Sequence, residues 1–183
     1  MPSAFPSHQG LILPLWQRWP GRFHGLSLAV GAAAPDIVDG LAVVYRGELG
    51  QWLGHSLIGL PLLCLPLSLA LSPIVARLFR RIEWARRLDE ASGPHTLASR
   101  AGAALIGAAS HDFFDLVTHA NFPLLLPWRD DASFFPAWWT HAWTAVDLPV
   151  YREPYPIAPH FVSWAFFSLL GIVLFVRAVR RPD

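Results

Sequence analysis

The chain has 183 residues, 54% of them hydrophobic and only 15% charged, against roughly a quarter charged in ordinary soluble domains. Its net charge of +1, with every basic residue an arginine, excludes a large basic surface for nucleic acid, and the single Cys64 excludes an internal disulfide or a multi-cysteine zinc site. With nine tryptophans, the composition is that of one integral membrane domain, residues 1–183, whose partner is membrane lipid.

Residues 1–10 show no basic stretch leading into an apolar run and a small-residue cleavage site, so no removable signal peptide is expected and insertion rests on internal segments. His8 to Arg18 (HQGLILPLWQR) is too short to span and reads as a half-helix. His24 to Tyr45 predicts a span, broken near Pro35 and interrupted by Asp36 and Asp39. Ser56 to Phe79 is the clearest span, its first charge being Arg77; Pro61, Pro66 and Pro73 should kink it and are tolerated where neighbouring helices satisfy freed carbonyls. Leu97 to Thr118 follows, with a first half (LASRAGAALIGAAS) rich in small residues that permit close helix packing. Its second half leads into HDFFDLVTH, which carries charge at membrane depth. His119 to Pro159 is a long, proline-rich loop whose FFPAWWTHAW suits an aromatic cap at headgroup level. His160 to Val176 is the last span. The expected fold is all-α, a multi-pass bundle of about four transmembrane helices plus a short N-terminal half-helix.

Arginine placement agrees with four crossings. Arg18 and Arg22, Arg77 to Arg87, and Arg177 to Arg181 all fall on one side, which the positive-inside rule makes cytoplasmic, with both termini there and the chain in the inner (plasma) membrane. The Arg77 to Arg87 run also suits contact with anionic lipid.

Ionisable side chains inside a bilayer are costly unless paired or facing a wet cavity, and so mark function. His111, Asp115 and His119, at i, i+4 and i+8, form one stripe on a helix that can present imidazoles and a carboxylate to one ion. Counting from the arginines at the helical rise, Asp36 lies roughly 21 Å up its segment and Asp115 roughly 23 Å, at one level. His55, His160 and His119 come near the outer interface, and a half-helix raises His8 toward Asp36. Five segments should therefore converge on a pocket in the outer half. Nitrogen and carboxylate donors without thiolate suit a divalent metal, zinc first, with manganese or iron as alternatives. Asp112 and Asp39, beside the ligand positions, are the expected general bases, and Arg129 or Arg152 can hold a phosphate from the outer loop.

SHQGLILPL, APD at Pro35 and Asp36, HSLIGL, HDFFDLVTH and PHFVSWAFFSLLG resemble a bacterial membrane family, domain of unknown function four-one-eight-four. That family is similar to membrane-bound metal-dependent hydrolases, whose His, Pro-Asp, His-Ser and His-x-x-x-Asp pattern is similar to that of zinc-dependent phospholipase C. The resemblance runs from Phe5 to Gly171 and implies His8, Asp36, His55, His111, Asp115, His119 and His160 as metal positions. ANFPLLLPW after His119 departs from the Pro-Asp-Gly sequence of relatives. The expected function is a metal-dependent hydrolase acting on a lipid or phosphoester at the membrane. The alternative is a non-enzymatic membrane protein with a structural metal or a polar packing cluster.

Overall fold

The computed structural model describes residues 6–47, 51–90, 95–119, 121–129, 134–147 and 155–180, and its elements are helical apart from one pair of three-residue strands. The N-terminal helix α1 (Ser7–Arg18) is followed by α2 (Gly25–Gly31) and α3 (Ala34–Arg46), which meet at a bend of 43°. Pro35 sits in the first turn of α3, where its missing N–H is no loss. This is the broken helix the sequence predicts. A 3₁₀ turn at Leu53–His55 leads to a π-helical turn, Leu60–Cys64, that runs into α4 (Leu65–Leu78). Pro66 has no N–H for the carbonyl four residues back, and the helix widens just before it. Then come α5 (Glu83–Glu90), α6 (Leu97–Thr118, capped by Thr96), α7 (Ala137–Thr140), the antiparallel strands β1 (Thr144–Val146) and β2 (Tyr155–Ile157), and α8 (Pro159–Arg180).

Leu60–Leu78 and α8 are each long and apolar enough to cross a membrane, and α2 with α3 would make a third as one bent span. Two or three such helices are consistent with a membrane protein. α6 has the length, at 22 residues, but its outer half is polar. The outer loop, expected to be irregular, holds α7 and the strand pair instead, because segments on either side of the turn can exchange backbone hydrogen bonds.

Small residues decide how closely the helices approach. A Cβ added at Gly31 would stand 2.2 Å from the Ala104 carbonyl oxygen, and one at Gly107 2.2 Å from that of Leu28, so α2 and α6 touch backbone to backbone. α1 meets α8 in the same way, with a Cβ at Gly10 falling 1.7 Å from the Gly171 oxygen. Lipid gives helices no hydrophobic reason to associate, and close packing of this kind supplies the attraction. The second small-residue half of the α6 sequence is used as expected. At the inner end, Leu13, Leu26, Val30 and Leu88 form an apolar cluster with Trp16, Trp84 and Phe175, while His24 caps α2 and places its Nε2 3.1 Å from Asp89 of α5.

Gly10→Ala and Gly171→Ala are each expected to lower stability by about 1–3 kcal/mol, the usual cost of overpacking. Thermal unfolding in detergent checks this, with Gly102→Ala, where a Cβ meets nothing within 4 Å, as the neutral control.

Candidate metal centre

His111 sits on α6 one turn beyond Gly107, and the close α2–α6 crossing brings the Ala32 carbonyl to 2.8 Å from its Nδ1. A carbonyl only accepts, so Nδ1 carries the proton and Nε2 presents a lone pair. His55, at the end of the 3₁₀ turn, is fixed likewise by Asp39 of α3, whose Oδ2 lies 2.7 Å from His55 Nδ1. Asp39 is held in turn by the backbone N–H of Gly54 (2.7 Å) and of Trp52. Gly54 has no room for a side chain, since a Cβ would stand 2.5 Å from the Pro35 oxygen.

The two Nε2 atoms face each other at 3.2 Å. Asp36 Oδ1 lies 3.4 Å from His55 Nε2 and 3.7 Å from His111 Nε2. Asp115 Oδ2 lies 3.5 Å and 3.4 Å from the same two atoms. A tetrahedral ion with ligand bonds of ~2.0–2.1 Å separates its ligands by ~3.3–3.4 Å, so this four-atom arrangement fits a zinc-sized divalent cation. Asp115 Oδ1 turns the other way, 3.3 Å from His8 Nε2, and the His8 ring stacks on His111 at 3.8 Å. His8, His111 and Asp115 thus make a second group of metal-ligating atoms beside Asp36, His55 and His111.

Burial varies around the cluster in a telling way. The side chains of His55, His111 and Asp115 are 2% exposed or less, whereas that of Asp36 is 34% exposed and marks the open side. Burial pushes the His8 and His119 imidazoles below their ordinary value, toward the neutral form a metal needs. Burial also opposes charge on His55, but the carboxylates of Asp115, Asp36 and Asp39 outweigh it and hold that imidazole well above its ordinary value.

His8, Asp36, His55, His111 and Asp115, expected to converge from separate segments, are brought together. His119 stands at the rim: α6 ends at Thr118, and its Nδ1 lies 3.0 Å from the Asp115 backbone oxygen but 3.9 Å from that residue's carboxylate. His160 belongs to neither ligand group; its Nδ1 faces the Trp139 carbonyl at 3.3 Å and ties α8 to α7. Asp39 is corrected from general base to orienting residue, because both its oxygens are occupied by His55 and two backbone amides. Asp112 is buried, with no hydrogen-bond partner for either oxygen among the described residues. Arg129 is exposed, and Arg152 lies outside the described residues.

Two residues went unnoticed in the sequence. Gln51 donates its amide to Asp115 Oδ2 at 2.6 Å, and Phe122, 1% exposed, sets its ring edge-on to His55 at 5.9 Å. Both come from loops, where no periodicity points inward.

A sequence profile for the family described as Domain of unknown function (DUF4184) matches residues 1–128. That stretch contains every member of the cluster, and leaves α7, the strands and α8 with His160 beyond it. No curated protein and no solved structure matches the chain.

Asp39→Asn is expected to weaken zinc binding by about 10- to 100-fold, as loss of a ligand-orienting carboxylate does elsewhere. Titration of the chelator-stripped protein with zinc, wild type beside variant, measures it.

Proposed function

We propose that this chain, which belongs to that family of unknown function, is an integral membrane protein that binds a divalent metal ion and uses it to hydrolyse a lipid or other phosphoester. The single observation carrying this reading is the set of five separations of 3.2–3.7 Å among His55 Nε2, His111 Nε2, Asp36 Oδ1 and Asp115 Oδ2. Two neutral imidazole lone pairs and two carboxylates do not gather in an apolar bundle without a cation or protons between them.

In the proposed topology the bent α2–α3 pair, Leu60–Leu78, α6 and α8 make four crossings, with the arginine-bearing ends in the cytoplasm and the chain in the inner membrane. His55, His111, Asp36 and Asp115 hold the ion, zinc by donor type, with manganese or iron as alternatives. When bound, a divalent ion supplies Lewis acidity, lowering the pKa of water and polarising an ester or phosphoryl oxygen. Asp39 and the Ala32 carbonyl keep the two imidazoles aimed, Gln51 steadies Asp115, and Phe122 screens His55 from solvent. Substrate comes in past half-exposed Asp36. Asp112, buried and unengaged, takes the proton from the attacking water.

A second reading, a structural metal site, is favoured by one observation: four protein ligands already complete a tetrahedral shell, as in closed sites. Plasma mass spectrometry of detergent-purified protein, with turnover of bis(p-nitrophenyl) phosphate, separates the two. Near-stoichiometric zinc or manganese that disappears in His111→Ala and Asp115→Ala supports the centre. Turnover that vanishes in Asp112→Asn with metal retained supports hydrolysis. Metal without turnover leaves the structural site, and a folded wild type with no metal overturns both.

The raised His55 gives a pH dependence. Its proton stabilises the metal-free fold fully below the unfolded value of about 6.5, and that contribution is lost as pH rises through the higher folded value. An ion must displace the same proton, so stabilisation by zinc is expected to grow from about pH 6 to about pH 8. The gap in thermal midpoint between zinc-loaded and chelator-stripped protein reads it.

A further inference from the structure

Beside the cluster, α1, α6 and α8 leave a slot of about 200 Å³. Leu11, Phe114, Phe167 and Trp164 line it, and His8 forms part of its wall while also stacking on His111 and facing Asp115. The slot lies on the outer side of the Gly10–Gly171 contact, where the two helices diverge. The neighbouring surface of α8, a helix apolar enough to cross a membrane, exposes Phe166 and Leu169 by 59% and 65%. Its mouth therefore opens on the lipid-facing surface of the bundle.

The slot is not uniformly apolar. The indole Nε1 of Trp164 and both ring nitrogens of His8 are buried without a hydrogen-bond partner among the described residues. In hydrocarbon such groups cost several kcal/mol each, and a bare alkyl chain would not relieve them. An occupant with an apolar tail and an oxygen acceptor at its head would.

We infer that this slot takes one acyl chain of a glycerophospholipid, entering sideways from the outer leaflet, with the Trp164 N–H donating to the ester carbonyl and the head group lying at the His8 end of the cluster. The binding stands on the slot alone; its place as the substrate route rests on the hydrolase reading above. A water-soluble phosphoester, by contrast, would use the Asp36 side and leave the slot empty of label.

The test uses the full chain in phosphatidylethanolamine–phosphatidylglycerol vesicles containing a tracer phosphatidylcholine with a diazirine on its acyl chain. After irradiation, adducts are located by peptide mass spectrometry and zinc is measured on the same sample. Leu11, Phe114 and Phe167 are expected to be labelled several-fold above the exposed Leu169 and Val173. Leu11→Trp should abolish labelling at Phe114 and Phe167 with zinc content unchanged. Trp164→Phe, which keeps the bulk and removes the donor, should lower it about fivefold, one hydrogen bond's worth. Labelling spread evenly over the lipid-facing side chains, or indifferent to Leu11→Trp in a sample that retains its thermal midpoint, overturns the slot. Slot labelling in a protein without metal would overturn the hydrolase reading and leave the slot standing.

Discussion

Everything in this molecule answers to the confinement of two carboxylates and three imidazoles in a bundle whose remaining interior is alanine, glycine, leucine and cysteine. Asp115 is 1% exposed and His111 fully buried, on a helix whose preceding turns are Ala103, Ala104, Gly107 and Ala108. Taking one carboxylate from water costs several kcal/mol, and a helix bundle in lipid has no hydrophobic surplus to offset it. The compensation must be local and positive. It is arranged by bringing the opposing groups to within 3.7 Å from five separate segments, and the close helix crossings exist on the same scale. Gly107 lets α2 lie against α6, and that contact carries the Ala32 carbonyl to His111.

Orientation of the cluster is done largely by backbone. The Ala32 carbonyl fixes one imidazole, and the amides of Trp52 and Gly54 fix the carboxylate that fixes the other. Backbone groups need no rotamer entropy to be held, so an imidazole anchored this way keeps its Nε2 aimed with or without its neighbours. A carboxylate or imidazole orienting group at Ala32 would add another buried charge to a site already crowded with them.

The sequence made the cluster's core legible and its setting less so. His111 and Asp115 stood out because charge four residues apart inside an apolar helix has few structural excuses, and His8, Asp36 and His55 followed from counting helical rise along neighbouring segments. His119 belonged to the same stripe on paper, but the stripe assumes the helix continues; α6 stops at Thr118 and His119 turns into extended backbone with ψ 149°. His160 failed for a related reason, since the first turn of α8 faces α7. Asp39 had its role mistaken because the amides that occupy it come from a loop thirteen and fifteen residues on. Gln51 and Phe122 lie in stretches without periodicity, so nothing in their spacing points anywhere. Four crossings were expected from arginine placement, which constrains sides of the membrane, whereas helix length and apolarity single out two or three, because α6 spends its outer half on the cluster.

The polar groups also end abruptly, which bears on what the cluster is for. Below His111 on α6 the buried face is alanine and glycine, and on α4 the only buried polar side chains, Ser68 and Ser72, give their hydroxyls back to the carbonyls of Cys64 and Ser68 at 2.6 and 2.7 Å. A path for ions or protons needs groups that can hand a charge onward through the full depth of the bilayer, and hydroxyls closed on their own helix do not offer one. Toward the inner end the interior becomes Leu13, Leu26, Val30 and Leu88, sealed by Trp16 and Trp84. The cluster is therefore the floor of a one-sided chamber, with Asp36 as its wet edge and His8 as its edge toward lipid. A floor of metal-ligating atoms reached from water on one side and from the bilayer on another suits chemistry at an interface, where an amphiphile's head and tail must be met at once.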